Sequence, residues 1–319
     1  MKLSRSWNVK KWGTLMLTAV LLAASSGGEK AAAAHKDMKV SMPLEVLYDG
    51  RKMQFDVPPK MVNNSVLVPI RFVSDKLGGK LAVNGKKITI TKGKQVLQIT
   101  MNSKTAAFNG KTVQLNQAAI VDRGRTLVPL RAVSEGLGVK VEWDKVTQFV
   151  WIGKKEVPEL KDLIKPVKSE PYKKYFKGRK FFYKHRVDGV SSPATQAYVI
   201  DANDLPVAIN GEHFYRYDLA SYKDGTKFIQ ATTTDKGSMA TQIYYLNYAS
   251  KLRYRATTTS YQENIGDFRI HYYPVVDSTD ETAFGDKNYT KYKVEIADYV
   301  GIAAGYPGLV LIKNPFKKE

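Results

Sequence analysis

Apolar and polar positions alternate in short runs along most of this chain, and twice, sixty residues apart, the alternation gives way to a helical spacing. Ile70, Val73 and Leu77 recur at i, i+3 and i+7, as do Leu130, Val133 and Leu137, so each set predicts a short helix with one apolar stripe. Pro69 and Pro129 suit the first helical position, where φ is preset and no needed donor is lost; Gly78 and Gly138 suit the position just past the end, where φ turns positive. Residues 68–78 and 128–138 agree at seven of eleven positions, with Ile/Leu and Asp/Glu exchanges at two more. The register holds upstream, pairing Tyr48-Asp49-Gly50 with Phe108-Asn109-Gly110 and Gln54 with Gln114. Each Asx-Gly pair predicts a tight hairpin, and the alternation after it (Met53 and Phe55; Val113 and Leu115) predicts half-buried strands. The chain therefore contains an internal repeat, a strand-turn-strand-helix module that buries its apolar face against its own copy.

A strand follows each helix, at Lys80–Val83 and Val139–Trp143. Val83-Asn84-Gly85 then turns tightly into Ile88-Thr89-Ile90, whereas Trp143-Asp144 takes a longer route into Val150-Trp151-Ile152. Between the copies, Gln95–Met101 and Lys104–Phe108 form one more antiparallel pair. The expected fold class is α+β, a duplicated domain of antiparallel sheet with short helices over residues 40–155. Arg71 with Asp75 and Arg131 with Glu135 stand four apart, which is ordinary support for a helix; a repeated arginine gripping an anion is the alternative.

The P-[IL]-R-x-V-[SA]-[DE]-x-L-G helix, present twice, and the closing Trp143-Asp144 strand resemble the copper amine oxidase N-terminal domain family, the stalk domain. The repeat motif carried by Pro69, Arg71, Leu77, Gly78, Pro129, Arg131, Leu137, Gly138 and Trp143 is then structural. The first copy departs from the pattern with Val83 where tryptophan is usual, which weakens an aromatic plug there. The resemblance implies an accessory module of exported Gram-positive proteins, projecting from its partner and taking no part in chemistry. Amine oxidation itself is rejected. Those enzymes need three histidine ligands including an H-x-H pair, because copper is held by converging imidazoles, and a tyrosine in T-x-x-N-Y-[DE]. Beyond residue 34 the histidines are His35, His185, His213 and His271; Asn247-Tyr248 follows Tyr244 instead of threonine, and Asn288-Tyr289 is followed by Thr290 instead of an acid.

The first residues carry Lys2, Arg5, Lys10 and Lys11, then an apolar run from Trp12 to Ala24, then a small-residue stretch ending at Ala34. This succession reads as a secretory signal peptide, residues 1–34, cut after Ala34. The run falls short of the roughly 20 residues that span a bilayer, so no transmembrane span is expected after processing, and an extracellular or cell-wall location is. Cysteine is absent. That excludes disulfides, thiolate metal sites and a cysteine nucleophile together.

Net charge is +20, and about +16 once residues 1–34 and their five bases and one acid are removed. Residues 161–186 hold ten basic groups against Asp162 and Glu170. Such a field concentrates polyanions, although a solubilising surface produces the same composition. Residues 156–180, with Pro158, Pro166 and Pro171 among lysines, read as a basic linker. From Tyr172 to Arg186 aromatics interleave with cations, a pattern that binds an anionic polymer by pairing and stacking, or forms a sheet edge with aromatics in and lysines out. The candidate binding residues are Lys173, Lys174, Lys177, Arg179, Lys180, Lys184 and Arg186.

Residues 181–319 hold 16 of the 19 tyrosines in short alternating runs separated by turn signals, which predicts a mainly antiparallel β domain. The runs are Gln196–Asp201, Phe214–Tyr217, Lys227–Thr234, Met239–Asn247, Lys251–Thr258, Asp267–Pro274, Lys291–Ala297 and Leu309–Lys313. No G-x-S-x-G or H-E-x-x-H motif is present. The acidic stretch Asp277–Glu281 lacks the spacing of a calcium loop and reads as a solvated turn. No cofactor, metal or catalytic residue is expected. The functional expectation is a secreted, non-catalytic protein: a repeat domain that spaces or docks, and a β domain that binds wall polymer, polysaccharide or a protein partner, without specific nucleic-acid recognition. The alternatives are an enzyme acting on wall or extracellular polysaccharide, recognisable by paired carboxylates about 5–10 Å apart in a cleft, and a spacer without ligand.

Overall fold

The computed structural model describes residues 37–187, 190–234, 241–249, 252–256 and 262–317, with backbone alone at 186 and 187. The expected signal peptide lies outside the described residues. The structure is mainly β, 45% strand against 16% helix, so helices are minor elements in sheets that are mostly antiparallel.

The repeat unit is organised around a pairing of its two copies. Ser65–Pro69 and Arg125–Pro129 run antiparallel, with Val68 opposite Val128, Leu67 opposite Pro129 and Pro69 opposite Leu127, so each copy gives its mate the contact it receives. The helices Ile70–Lys76 and Leu130–Gly136 follow directly, and both expected stripes are buried. The prolines sit at the N-cap and still belong to the strands, so each helix begins one residue later than expected. Gly78 and Gly138 have φ of 71° and 72°, the left-handed conformation that ends a helix. Lys80–Asn84 and Lys87–Lys92 form the tight hairpin, and Gln95–Thr100 pairs with Thr105–Phe108 in the same five-stranded sheet. In the second copy Val141–Asp144 and Phe149–Ile152 pair, and the latter lies parallel to Glu45–Tyr48 at the start of the first copy. Trp151, 2% exposed, faces the opposite side of its strand from the repeat core and packs with Leu47 and Phe149. Trp143, expected as the plug, is opposite core residue Val150 but 36% exposed, because it sits at the rim of a cleft instead of filling it.

Two six-stranded sheets form the second unit. One centres on Glu212–Ser221, Lys227–Thr233 and Phe268–Pro274, the other on Gln196–Ile200, Leu309–Lys313, Tyr299–Ile302 and Ile243–Leu246. Phe214, Tyr217 and Ile229 of the first meet Tyr245, Val300 and Ile312 of the second in a common core. The pairing of Gln196–Ile200 with Leu309–Lys313 is parallel, unlike the antiparallel expectation. The expected strand Lys291–Ala297 is instead two 3₁₀ turns, Tyr289–Lys291 and Val294–Ile296.

Residues 156–180 are not a free linker. Ala208 donates to the Pro158 carbonyl, Leu160 is fully buried in the sandwich core, and Val167–Lys168 pairs with Gln196–Ala197. The segment is built into the second unit because single apolar residues anchor it at intervals. The acidic turn also differs from expectation. Asp280 is 1% exposed and accepts from Arg255 at 2.7 and 2.9 Å and from Arg253 at 2.5 Å.

The two units are docked. Lys39–Val40 adds a strand to the first sheet of the sandwich, opposite Ala220 and Ser221. A bulge between Phe214 and Arg216 lets both Tyr215 and Arg216 face the repeat unit. Tyr215 packs with Leu47, Phe149 and Trp151. Arg216 holds Asp218 in a two-point pair at 2.6 and 2.7 Å and donates to the carbonyls of Pro43 and Thr147. Burial pushes the Lys52 ammonium pKa down here, against the opposing pull of Glu45 at 2.9 Å, and pushes Asp218 up.

Candidate functional site

The repeat unit covers the outer face of one sheet of the sandwich, and residues 169–183 cover the outer face of the other. Along the 3₁₀ turn Glu170–Phe176, Tyr172, Tyr175 and Phe176 point to the sheet. Tyr172 and Tyr175 meet Tyr299 edge-on at 5.7 and 5.5 Å, and Phe176 meets Tyr183 at 5.4 Å and Tyr244 at 5.8 Å. Below them Ser169 Oγ donates to the Ala194 carbonyl at 2.7 Å, so Tyr183 O–H, 2.6 Å away, donates to Ser169. With the aromatics turned in, Lys173, Lys174 and Lys177 are left on the exposed side. The alternation of aromatics in and lysines out holds, but on 3₁₀ turns laid over the face of the sheet and not along its edge: the aromatics are the anchor and the lysines are the exposed side.

That face borders a groove of about 1410 Å³. Lys173, Lys174, Lys177, Lys180 and Lys184 line it, five of the seven cations expected there. Arg179 does not. Its guanidinium stacks 4.4 Å from the Phe284 ring and donates to the carbonyls of Gly178 and Phe284, a structural tie made as the chain turns at Gly178. The backbone of Arg186 pairs with Ser191, and its side chain lies outside the described residues. The far wall comes from Tyr248 and Ala249. Tyr248 is 68% exposed, and Lys174 Nζ sits 5.1 Å from its ring and 5.4 Å from that of Tyr175. Burial pushes the Tyr175 phenol up to about 12, which keeps it neutral beside the cations. A neighbouring cleft of about 530 Å³, with Phe182, His185 and Tyr254, shares Lys184. Lys184 Nζ lies 5.0 Å over Phe181, an aromatic that is 72% exposed.

The groove offers cations held over aromatic rings, a combination that pairs with negative groups and stacks on flat or apolar ones. Tyr248 escaped sequence reasoning: Asn247-Tyr248 appeared only as a failed cofactor motif, and its approach to Lys174 depends on the order of strands in the sheet. Among the described residues no group of three or more His, Asp or Glu side chains is placed to hold a metal ion. Residues 47–152 match the copper amine oxidase N-terminal domain. The repeat unit is a copper amine oxidase N-terminal domain, a kind typical of extracellular bacterial proteins; the rest of the chain is unassigned. No curated protein and no solved structure matches the chain. Among the described residues no helix is long and apolar enough to cross a membrane.

Proposed function

We propose that the chain is an exported, non-catalytic binding protein whose second unit holds an anionic polymer of the cell wall, or an acidic polysaccharide, in the lysine-lined groove. The repeat unit is the platform on the opposite side of the sandwich. The observation that carries this reading is the convergence of five lysines and the exposed Tyr248 on one groove of about 1410 Å³. An open groove admits a continuous chain, lysines pair with its negative groups, and rings pack against the backbone between them. Among the described residues lining the groove Glu170 is the one carboxylate, whereas glycoside hydrolysis is performed by a pair. That favours binding over the polysaccharide-acting enzyme. Recognition by charge and spacing needs no specific nucleic acid and no cofactor.

The test is retention of the secreted chain on purified wall. Reversing Lys173, Lys174, Lys177 and Lys180 to glutamate should weaken retention about tenfold or more, roughly the sum of four exposed pairs. Reversing Lys87, Lys94, Lys104 and Lys111 of the repeat unit should weaken it far less. Wild-type retention should decline steeply with salt. Equal loss from both sets reduces the groove to part of a general basic field. Salt-insensitive retention contradicts an anionic ligand, and absence of retention leaves the chain a spacer.

A further inference from the structure

The duplication also makes two equivalent clefts in the repeat unit, one per copy, where the helix start meets the strand that follows. Nine of the eleven residues lining the second-copy cleft have their counterparts, sixty positions away, lining the first-copy cleft. The copies have diverged there in one direction. In the first copy Arg125 and Asp56 close an ion pair at 2.5 Å across the lining, and Phe55 and Phe72 meet edge-on at 5.7 Å beside it. The equivalent positions in the second copy are Ser65 and Asn116, which are short and uncharged, and Leu115 and Ala132, which are smaller.

The cleft volumes follow. The first copy leaves about 210 Å³, the second about 300 Å³, and a further chamber of about 320 Å³ that includes Leu115 and Ala132 adjoins the latter across Ser65, Asn116, Pro129 and Arg131. Ligand pockets begin near 300 Å³. Where the first copy has Val83 the second has Trp143, with its indole 36% exposed on the cleft. Where the first has Gly124 the second has Asn64, whose φ of 57° belongs to the hairpin tip overhanging the cleft. The neighbouring Asn63 donates to Gln117 Oε1 at 2.8 Å, tying that tip to the opposite wall without filling the space between.

We infer that the second-copy cleft is a binding site for a neutral glycan. An exposed indole offers a flat face to the C–H face of a sugar ring; side-chain amides and a hydroxyl donate to and accept from its hydroxyl groups; and an apolar floor of Val66, Val141 and Val150 accepts ring carbons or an acetamido methyl. The loss of the Asp56–Arg125 pair removes formal charge from these two wall positions, which matches an uncharged ligand. Arg131, at the divide between the chambers, lies 3.7 Å from Glu135. The site is separate from the lysine groove and opens a second mode of attachment, insensitive to salt.

The experiment titrates chitotetraose and cellotetraose into the secreted chain at high salt, where the lysine groove is screened, following tryptophan fluorescence and heat. At least one of the two should bind. Chitotetraose alone would assign the apolar floor to the acetamido methyl, and both together would assign recognition to the ring face; either supports the site. Trp143→Ala should weaken binding at least tenfold. Ala132→Phe, and Ser65→Arg with Asn116→Asp, which restore the first copy's filling, should do the same while leaving the thermal midpoint near wild type. Charge reversal in the lysine groove should leave this binding unchanged, so failure here and failure of the polyanion reading are told apart. No binding of either oligosaccharide, binding that survives all three cleft variants, or a proline-rich peptide that binds the cleft in their place overturns the inference.

Discussion

Asp56 and Asp280 each meet arginine, Asp56 at the surface of the repeat unit and Asp280 in the interior of the second unit. The core of the repeat unit is aliphatic, built from Ile, Leu and Val of two symmetric halves, with ion pairs such as Asp56–Arg125 and Lys60–Asp122 on its outside. The second unit buries tyrosines instead, and with them an ionic network in which Arg253 also pairs with Asp286 and lies 4.0 Å over the Tyr292 ring. A duplicated fold presents each apolar face with a mate of matching shape. A unit without a copy of itself has to position its layers by directional contacts, and buried guanidinium–carboxylate pairs and phenols supply them.

The largest expected effect tests that contrast directly. Asp280→Ala removes the carboxylate that two buried guanidinium groups share, leaving Arg255 with carbonyl acceptors and Arg253 with Asp286, and should cost about 3–5 kcal/mol, read as loss of the second unit's unfolding transition in denaturant. Asp56→Ala, at an exposed pair, should leave the midpoint of the repeat unit in place. Similar losses from both would end the comparison. Next, Leu77→Ala and Leu137→Ala occupy equivalent buried positions and should each cost about 2–4 kcal/mol through the cavity left behind. Symmetry predicts that the two values agree closely, and a large inequality in chemical denaturation would show that the halves are not energetic equivalents.

The smallest effect separates the units by alkali. Burial raises Tyr175, Tyr215 and Tyr272 to about 12, and pushes Tyr244, Tyr245 and Tyr292 higher still. A group whose folded pKa lies above its unfolded value stabilises fully below the unfolded value, near 10 for tyrosine, and that contribution is lost as pH climbs through the folded value. The second unit should therefore lose stability progressively from about pH 10 to 12 and beyond. Tyr48 is the one tyrosine between residues 37 and 155, so the repeat unit should not share that tyrosine-driven loss. Phenolate absorbance and circular dichroism recorded together would check this; phenolate appearing near pH 10 with no loss of structure would show the rings to be exposed.

The repeat was legible because its determinants are local: a helical stripe, an Asx-Gly turn and a helix-ending glycine each lie within a few residues of the element they specify. The five groove lysines were legible as a cluster because they lie close together in one stretch of the sequence. Their aromatic partner Tyr248 was not, since only the order of strands in the sheet brings it near. Residues 156–180 were misread as a linker because Leu160 and Phe176 are single anchors without period, in a stretch whose prolines and lysines resemble solvated chain. Asp280 was taken for a solvated residue because a carboxylate in a turn has no sequence mark that distinguishes burial against arginine from exposure. Trp143 was assigned to the core on family pattern, whereas it lines a cleft at the core's edge, and the buried Trp151, eight residues on, serves the junction with the second unit.

The strand Lys39–Val40 changes what can be exchanged between proteins. The segment that matches the domain family, residues 47–152, reads as a separable piece, yet in this chain the residues that precede it belong to the sheet of the unit that follows it. A recombination event or a truncation that cuts near residue 156 would carry off one strand of the recipient's sheet and leave the backbone of Ala220 and Ser221 as an open edge, a template for unwanted pairing. The second unit is therefore discontinuous in sequence, and the family-matched segment cannot be lifted out with its N-terminal arm without opening its neighbour's sheet.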